Sequence, residues 1–394
     1  MNSKSLKEYG YKIDKNYIMK NDEEFPKYQA MVTFPYGLKD GSGNLYRYYL
    51  NRIAGILDNH LKEKASRITV DVLPEYSYIS ITTYNEYFLN EALGGLFNFL
   101  SNFDMNKMME GFLDTRYLYV STFARELRAS SRFDIFMVDG KPIEDIENQE
   151  LELLKNGTPE AVEFIMQKNK EKFIEDNALV FLKGHSVDTF MFEHKDNKLL
   201  DNIPDVKTEP YHNQKYPEKN LLLIKIGNID LDDDMDFLKR LHIARMATYI
   251  LSTMSPNYSA DFLVLNRRQI FYKFLFPDDK ERANALILWN SLIKEDQYRE
   301  RFAQVFRDLK SSYIDILLRE YEMLQVDFTN LPTYVYSKVP IPNKTQVKEL
   351  CDYVLAMSDS DVLLEVENIL SQAYDEDEIN EIIKDSTKEE GAAN

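Results

Sequence analysis

Lys27-Tyr-Gln-Ala-Met-Val-Thr-Phe34, then a polar, glycine-containing stretch from Gly37 to Asn44, then apolar positions at Leu45, Tyr49, Ile53, Ile56, Leu57 and Leu61, read as a strand leading into an amphipathic helix. The apolar positions recur at three- and four-residue steps, which predicts a helix from about Leu45 to Lys64. Two short strands follow, Ile68 to Leu73 and Tyr78 to Thr83, turning at Pro74-Glu75. A second helix begins near Glu86, with Leu89, Leu93, Leu96, Phe97 and Leu100 on one face.

The same order returns in the second half. Asn220 to Ile226 reads as a strand, and Asp230 to Asp236 as an acidic approach to a helix from about Phe237 to Met254. Strands Ala260 to Leu265 and Ile270 to Phe276 turn at Asn266-Arg267. A further helix opens after Pro277, where Asp278 and Asp279 complement its dipole. Leu73 and Leu265, Phe97 and Trp289, Asn98 and Asn290, and Leu100 and Leu292 each stand 192 residues apart. The spacing predicts one duplicated unit and an α+β fold of two homologous domains, each a mixed or antiparallel sheet flanked by helices.

Helical regions are expected after each repeat, over Met105 to Met137 and Gln297 to Gln325, with another helix over Pro159 to Asp176 and a strand over Ala178 to Gly184. The chain accordingly divides into an N-terminal extension (1–24), a first repeat (25–184), a linker (185–219), a second repeat (220–374) and an acidic tail (375–394) expected to be disordered.

Hydrophobic residues make up 44% of the chain, with 26 Tyr and 23 Phe, enough apolar area for two cores. The net charge of −18 opposes nucleic acid as a partner and suits a basic peptide or protein. Cys351 is the single cysteine, which excludes an intrachain disulfide and a thiolate cluster. No apolar run is long enough for a membrane span, and Met1 to Lys12 lacks an apolar signal core, so a cytoplasmic protein is expected.

A search for chemistry returns fragments. Neither His-Glu-x-x-His nor His-x-x-Glu-His occurs; His60 and Glu63 carry the spacing of one pair, but Lys64 stands where the second histidine is required. Read as a calcium loop from Asp230, the acidic string has Met235 at its sixth place and Leu241 at its twelfth, where Gly and Glu are needed. Gly37 to Gly43 lacks the Lys-Ser/Thr ending of a phosphate loop. Gly94-Gly95, inside a helix, predicts close helix–strand packing, and Cys351 reads as an inert core thiol.

The duplicated unit and the long linker resemble the insulinase/pitrilysin-type zinc peptidases, in their two-domain processing-peptidase branch. In that family two such chains close around a peptide, and catalytic subunits carry His-x-x-Glu-His at the start of the first long helix, with an acidic ligand far downstream. Here the corresponding segment is Asn44-Leu-Tyr-Arg-Tyr-Tyr-Leu-Asn51 and holds no ligand. The resemblance therefore implies a non-catalytic subunit, similar to those of subtilosin-type bacteriocin-maturation peptidases. It implies zinc in a homologous partner carrying His-x-x-Glu-His, with none in this chain, and a peptide substrate that the acidic surface would favour as cationic. It also implies a substrate-holding role for Tyr258, just before the second hairpin, against a packed aromatic that starts the strand; no Arg lies between the preceding helix and Tyr258 to complete the pair the family uses. Arg267 and Arg268, at the turn of that hairpin, break the acidic trend and are candidates for partner or substrate contact, against a solvated turn. The alternative is a free-standing protein that binds or sequesters a peptide.

Overall fold

The computed structural model describes residues 3–40, 42–61, 65–102, 104–109, 136–138, 141–187, 199, 203, 209–210, 221–255, 257–326, 329–374, 377–378, 380–382 and 384. The chain forms two compact units, Met1–Pro210 with Asp327–Ser337, and Tyr211–Val326 with Lys338–Asn394.

The first unit runs α1 (Ser3–Glu8), β1 (Tyr11–Asp14), β2 (Tyr17–Asn21), β3 (Tyr28–Phe34), α2 (Gly43–Leu61), β4 (Ala65–Val72), β5 (Ser77–Thr83), α3 (Glu86–Ser101) and α4 (Met105–Met109). It continues with β6 (Phe136–Val138), β7 (Lys141–Pro142), α5 (Ile143–Asn156), α6 (Pro159–Lys170), β8 (Leu179–Gly184) and β9 (Glu209–Pro210). Its main sheet has the order β1-β2-β8-β3-β5-β4, antiparallel throughout except for the parallel pair β2–β8. Residues from Ala30 to Phe34 and the whole of β8 are buried, so both faces of the sheet centre are covered.

The second unit begins with β10 (Leu221–Lys225), α7 (Asp234–Met254), β11 (Ser259–Asn266), β12 (Gln269–Leu275), α8 (Asp279–Lys294) and the long α9 (Asp296–Val326). The next helix, α10 (Leu331–Tyr336), belongs to the first unit, and the second unit resumes with α11 (Lys344–Ala356) and α12 (Asp359–Ala373). Its sheet has the order β10-β12-β11, all antiparallel. That order is the one β3, β5 and β4 take, so β3-α2-β4-β5-α3 and β10-α7-β11-β12-α8 are the same module twice.

Leu100 and Leu292, 192 apart, are both buried, but other residue matches shift by one. Ser77–Thr83 and Gln269–Leu275 do stand 192 apart. The caps of the following helices, Asn85 and Asp278, stand 193 apart, as do the buried triplets Ala92, Leu93, Leu96 and Ala285, Leu286, Trp289. Trp289 therefore answers to Leu96, not to the half-buried Phe97. The cause is one extra residue between strand and cap: Tyr84 alone in the first module, Phe276 and Pro277 in the second. Leu73 lies in a turn whereas Leu265 lies within β11, so that match also fails.

Other expectations change at element ends. Residues 1–24, set apart as an extension, contribute α1 and two strands of the first sheet. The helix expected over Met105 to Met137 is helical only at Met105–Met109 among its described residues, and Phe136–Val138 is a strand. An Asp139-Gly140 turn dipeptide between Val138 and Lys141, which pair across β6 and β7, was the sequence signal for that hairpin. Glu209–Pro210, inside the expected linker, pairs with β6; most of the linker and the end of the tail lie outside the described residues. The helix expected to reach Asp176 stops at Lys170, and Glu175–Asn177 forms one 3-10 turn.

Candidate functional site

The beginning of α2 is where the sequence directs attention, and its surroundings are built from four separate stretches of chain. The turn after β3 is wedged against the β4–β5 turn: the Leu38 and Lys39 amides donate to the carbonyls of Leu73 and Pro74 at 3.0 and 3.1 Å. A Cβ on Gly37 would stand 2.4 Å from the Leu73 carbonyl oxygen, so only glycine fits there. Asp40 closes this turn by accepting from the Gly37 amide at 2.8 Å. Gly43 is confined by side chains rather than backbone, since a Cβ would meet Leu38 Cδ2 at 2.5 Å and Glu147 Oε1 at 2.8 Å.

Helix α5 presents two carboxylates, one turn apart, to this helix start. The Asn44 amide donates to Glu150 Oε2 at 3.0 Å, and Asn44 Nδ2 donates to the Glu147 carbonyl at 3.1 Å. Both glutamates are buried. Burial raises the Glu150 carboxyl to about 8, and Glu147 adds to the rise, while the Asn44 and Leu45 amides and Ser42 oppose it. Glu75, in the β4–β5 turn, is also raised to about 8 by burial, against the lowering influence of its own backbone and of Lys39.

The stretch after α6 seals the same place. Phe173 is fully buried, stacked on Tyr49 at 5.3 Å and edge-on to Phe34, Tyr36 and Tyr46. Beside it Lys172 donates to the Tyr46 hydroxyl and lies over the Tyr46 and Tyr36 rings at 4.7 and 5.6 Å. Burial lowers the Lys172 ammonium, and Asp40 and Glu150 oppose that fall.

These residues do not fit a zinc ion. A catalytic zinc needs three protein ligands of nitrogen, sulfur or carboxylate type. From Asn44 to Asn51 the helix offers two asparagines, two leucines, three tyrosines and Arg47. Arg47, buried and 3.4 Å from Asp71, brings a cation to the first turns, and burial pushes the Tyr48 phenol up to about 12. No group of three or more His, Cys, Asp or Glu side chains placed to hold a metal occurs among the described residues. His60 lies exposed in the last turn of α2, while Glu63, His194 and His212 lie outside the described residues. His242 is buried in α7, its Nδ1 2.7 Å from the Tyr313 hydroxyl, and burial brings it down to about 3.

The residues singled out in the second half have structural occupations. Tyr258 is buried against Phe274, Phe276 and Trp289. Its hydroxyl donates to the Leu251 carbonyl at 2.7 Å and accepts from Trp289 Nε1 at 3.2 Å. Both bonds hold the hydroxyl inside the core of the second unit. Arg267 ties the hairpin turn to the start of α7, bonding Asp234 at 2.5 Å and the Leu231 and Asp232 carbonyls at 2.6 and 2.9 Å, over the Phe237 ring. It thus braces the turn from within. Arg268 is 71% exposed and pairs with Asp230 at 3.0 Å. Asp233 caps α7, accepting from the Met235 and Asp236 amides at 2.8 and 3.0 Å, which holds its carboxyl below the usual range. The acidic string is thus a helix start, as its failed calcium pattern implied.

A cleft of about 640 Å³ lies between α2 and α3, with Ile53, Leu57, Leu96 and Phe99 as its apolar lining and Asn59, His60 and Asn98 at its rim. Gly95 faces Leu57 and His60 of α2 across it, while Gly94 stands in open space. The glycine pair therefore marks a helix–helix approach on one side only, not the expected helix–strand packing.

No family model matches the chain, and no curated protein does. Solved structures match over nearly its whole length. The first half of the periplasmic protease PqqL from Escherichia coli is similar at 10% identity with a TM-score of 0.56, covering 92% of this chain and 89% of that one. A predicted insulinase family protease from Yersinia pestis is similar at 12% identity and a TM-score of 0.52, over 92% of this chain and 89% of that one. A chain of Complex III2 from Candida albicans is similar at 12% identity and a TM-score of 0.53, over 94% of this chain and 99% of that one. At such identities the likeness is one of fold: the chain has the insulinase-type peptidase fold, in the two-unit form expected from its duplication.

Proposed function

We propose that this chain is the non-catalytic subunit of a heterodimeric zinc peptidase. A homologous partner carrying His-x-x-Glu-His supplies the metal and the reaction, and this chain encloses and positions the peptide. The observation that carries the reading is the start of α2, which lacks every zinc ligand and is closed by Phe173 and Lys172 on a peptidase fold. The net charge of −18 supports a cationic peptide, drawn in by long-range attraction. Removal of a leader from, or maturation of, a bacteriocin-type peptide is the process proposed, in the cytoplasm. Arg268, exposed at the β11–β12 turn, remains the proposed partner contact.

The test is to purify the chain alone and together with a His-x-x-Glu-His homologue encoded beside it. Zinc content, elution volume and peptide cleavage are then measured for each. The proposal expects a metal-free, inactive chain that joins the homologue in a stable complex cleaving peptide faster than the homologue alone. Stoichiometric zinc and cleavage by the isolated chain would end it. Tight peptide binding by the chain without any effect of the homologue would favour the free-standing binding protein instead.

A further inference from the structure

Both faces of the first unit's sheet are buried at β3 and β8, and the two faces are covered differently. Neighbouring strand residues point to opposite faces. Phe34 meets Phe173, which packs on Tyr46 and Tyr49 of α2, so the Phe34 face is the α2 face. Thr33 looks the other way, and there it meets Tyr336 of α10, with 2.9 Å between the hydroxyls. Thr33 donates its own proton to the Leu179 carbonyl of β8 at 3.2 Å, so Tyr336 is the donor to Thr33. Tyr76 stacks on Tyr336 at 4.8 Å and 16°, and its hydroxyl is 3.3 Å from that of Thr333. Leu331, Val335, Tyr336 and Ser337 are all buried.

Helix α10 has six residues, too few to be stable unaided. Its chain neighbours α9 and α11 both belong to the second unit. We infer that Leu331–Ser337 is a clasp: the second half of the chain lends this segment to complete the core of the first unit, and a break in the linker leaves the two halves bound. The peptide bonds around residue 210 are then not what holds the protein together. This inference stands apart from the proposed function, since it concerns one chain and needs neither partner nor peptide.

The test uses the full chain with a specific protease site inserted between Tyr211 and Asn220. After cutting, the two fragments are passed over size exclusion in a urea series. The clasp predicts that they co-elute in buffer and part only with urea. Tyr336→Ala should weaken their association by at least about tenfold, the equivalent of one buried hydrogen bond and one stacked ring. The uncut Tyr336→Ala chain should still elute with the uncut wild type. Should that variant fail to fold, Thr333→Val with Tyr336→Phe keeps the shapes, deletes both hydroxyl contacts, and should part at lower urea than wild type. Separation of the wild-type fragments in plain buffer, or precipitation of the first fragment alone, overturns the inference. So does parting at the same urea concentration in wild type and variants.

Discussion

Each unit buries a glutamate beside the first helix of its module, Glu365 in the second and Glu150 in the first, and the two are held by different means. In the second unit, Arg240 of α7 bonds Glu365 of α12 at 2.6 Å and the Gly227 carbonyl at 3.0 Å, while Tyr272 donates to the same carboxylate. Arg245 pairs with Glu320 at 2.7 Å. In the first unit, Glu150 is held at the start of α2 by the Asn44 amide and the Ser42 hydroxyl rather than by an ion pair, and its carboxyl is raised to about 8. One scaffold thus holds Glu365 in an ion pair and leaves Glu150 inclined to keep its proton. The difference lies in which cation reaches the carboxylate: Arg240 bonds Glu365 directly, whereas Lys172, in the turn after α6, donates to the Tyr46 hydroxyl.

Removing a partner from the paired interior should give the largest effect. Arg240→Ala leaves Glu365 buried with only Tyr272, and a loss of about 3–5 kcal/mol is expected in urea unfolding. If Arg240→Met with Glu365→Leu restores most of that loss, the charge rather than the packing was responsible. Phe173→Ala should cost a similar ~3–4 kcal/mol by emptying the aromatic box in the first unit. An added aromatic compound that raises the melting temperature of this variant but not of wild type would show that the cavity stays open.

The contrast in protonation gives the next effect. Glu75 and Glu150 are both raised from 4.5 to about 8, so between these values the folded chain holds protons that the unfolded chain has released. Their contribution to stability is complete below about 4.5, falls as the pH rises, and is gone above about 8. Unfolding free energies from urea titrations at pH 5, 6.5 and 8 should decline by an amount on the order of a few kcal/mol. Glu75→Gln with Glu150→Gln should flatten the profile, and an unchanged slope in the double variant would refute the assignment.

Smaller effects separate core from surface in the second unit. Tyr258→Phe loses the bond to Leu251 and should cost about 1 kcal/mol in thermal unfolding. Retention of wild-type stability, with loss of peptide binding, would return Tyr258 to the substrate site. Arg267→Ala should cost about 1 kcal/mol through lost contacts at the start of α7, and Arg268→Ala less than about 0.5. Equal costs for the two would mean that the turn, not the individual guanidinium, carries the effect.

Periodicity made both copies of the module legible, because a helix or a half-buried strand writes its burial into its own spacing. The starts of β3, of α2 and of the helices opening near Glu86 and after Pro277 could be placed within a residue or two. The surroundings of the site could not. Glu147, Glu150, Lys172 and Phe173 lie more than 100 residues from Asn44 in the chain, and no local pattern links them to it. The partners of the Tyr258 hydroxyl were not legible either, because an aromatic before a strand looks the same whether its hydroxyl faces a ligand or a core carbonyl.

The sequence by itself determined the duplication, the acidic charge and the absence of His-x-x-Glu-His, since these are matters of order and composition. Only the tertiary structure decided that the start of α2 is sealed by Phe173, that Arg267 is a strut while Arg268 is free to face solvent, and that α10 serves the first unit. Each of those depends on side chains brought together across long stretches of chain. Packing chooses such contacts after the local elements have formed, so they leave no spacing in the sequence to be read.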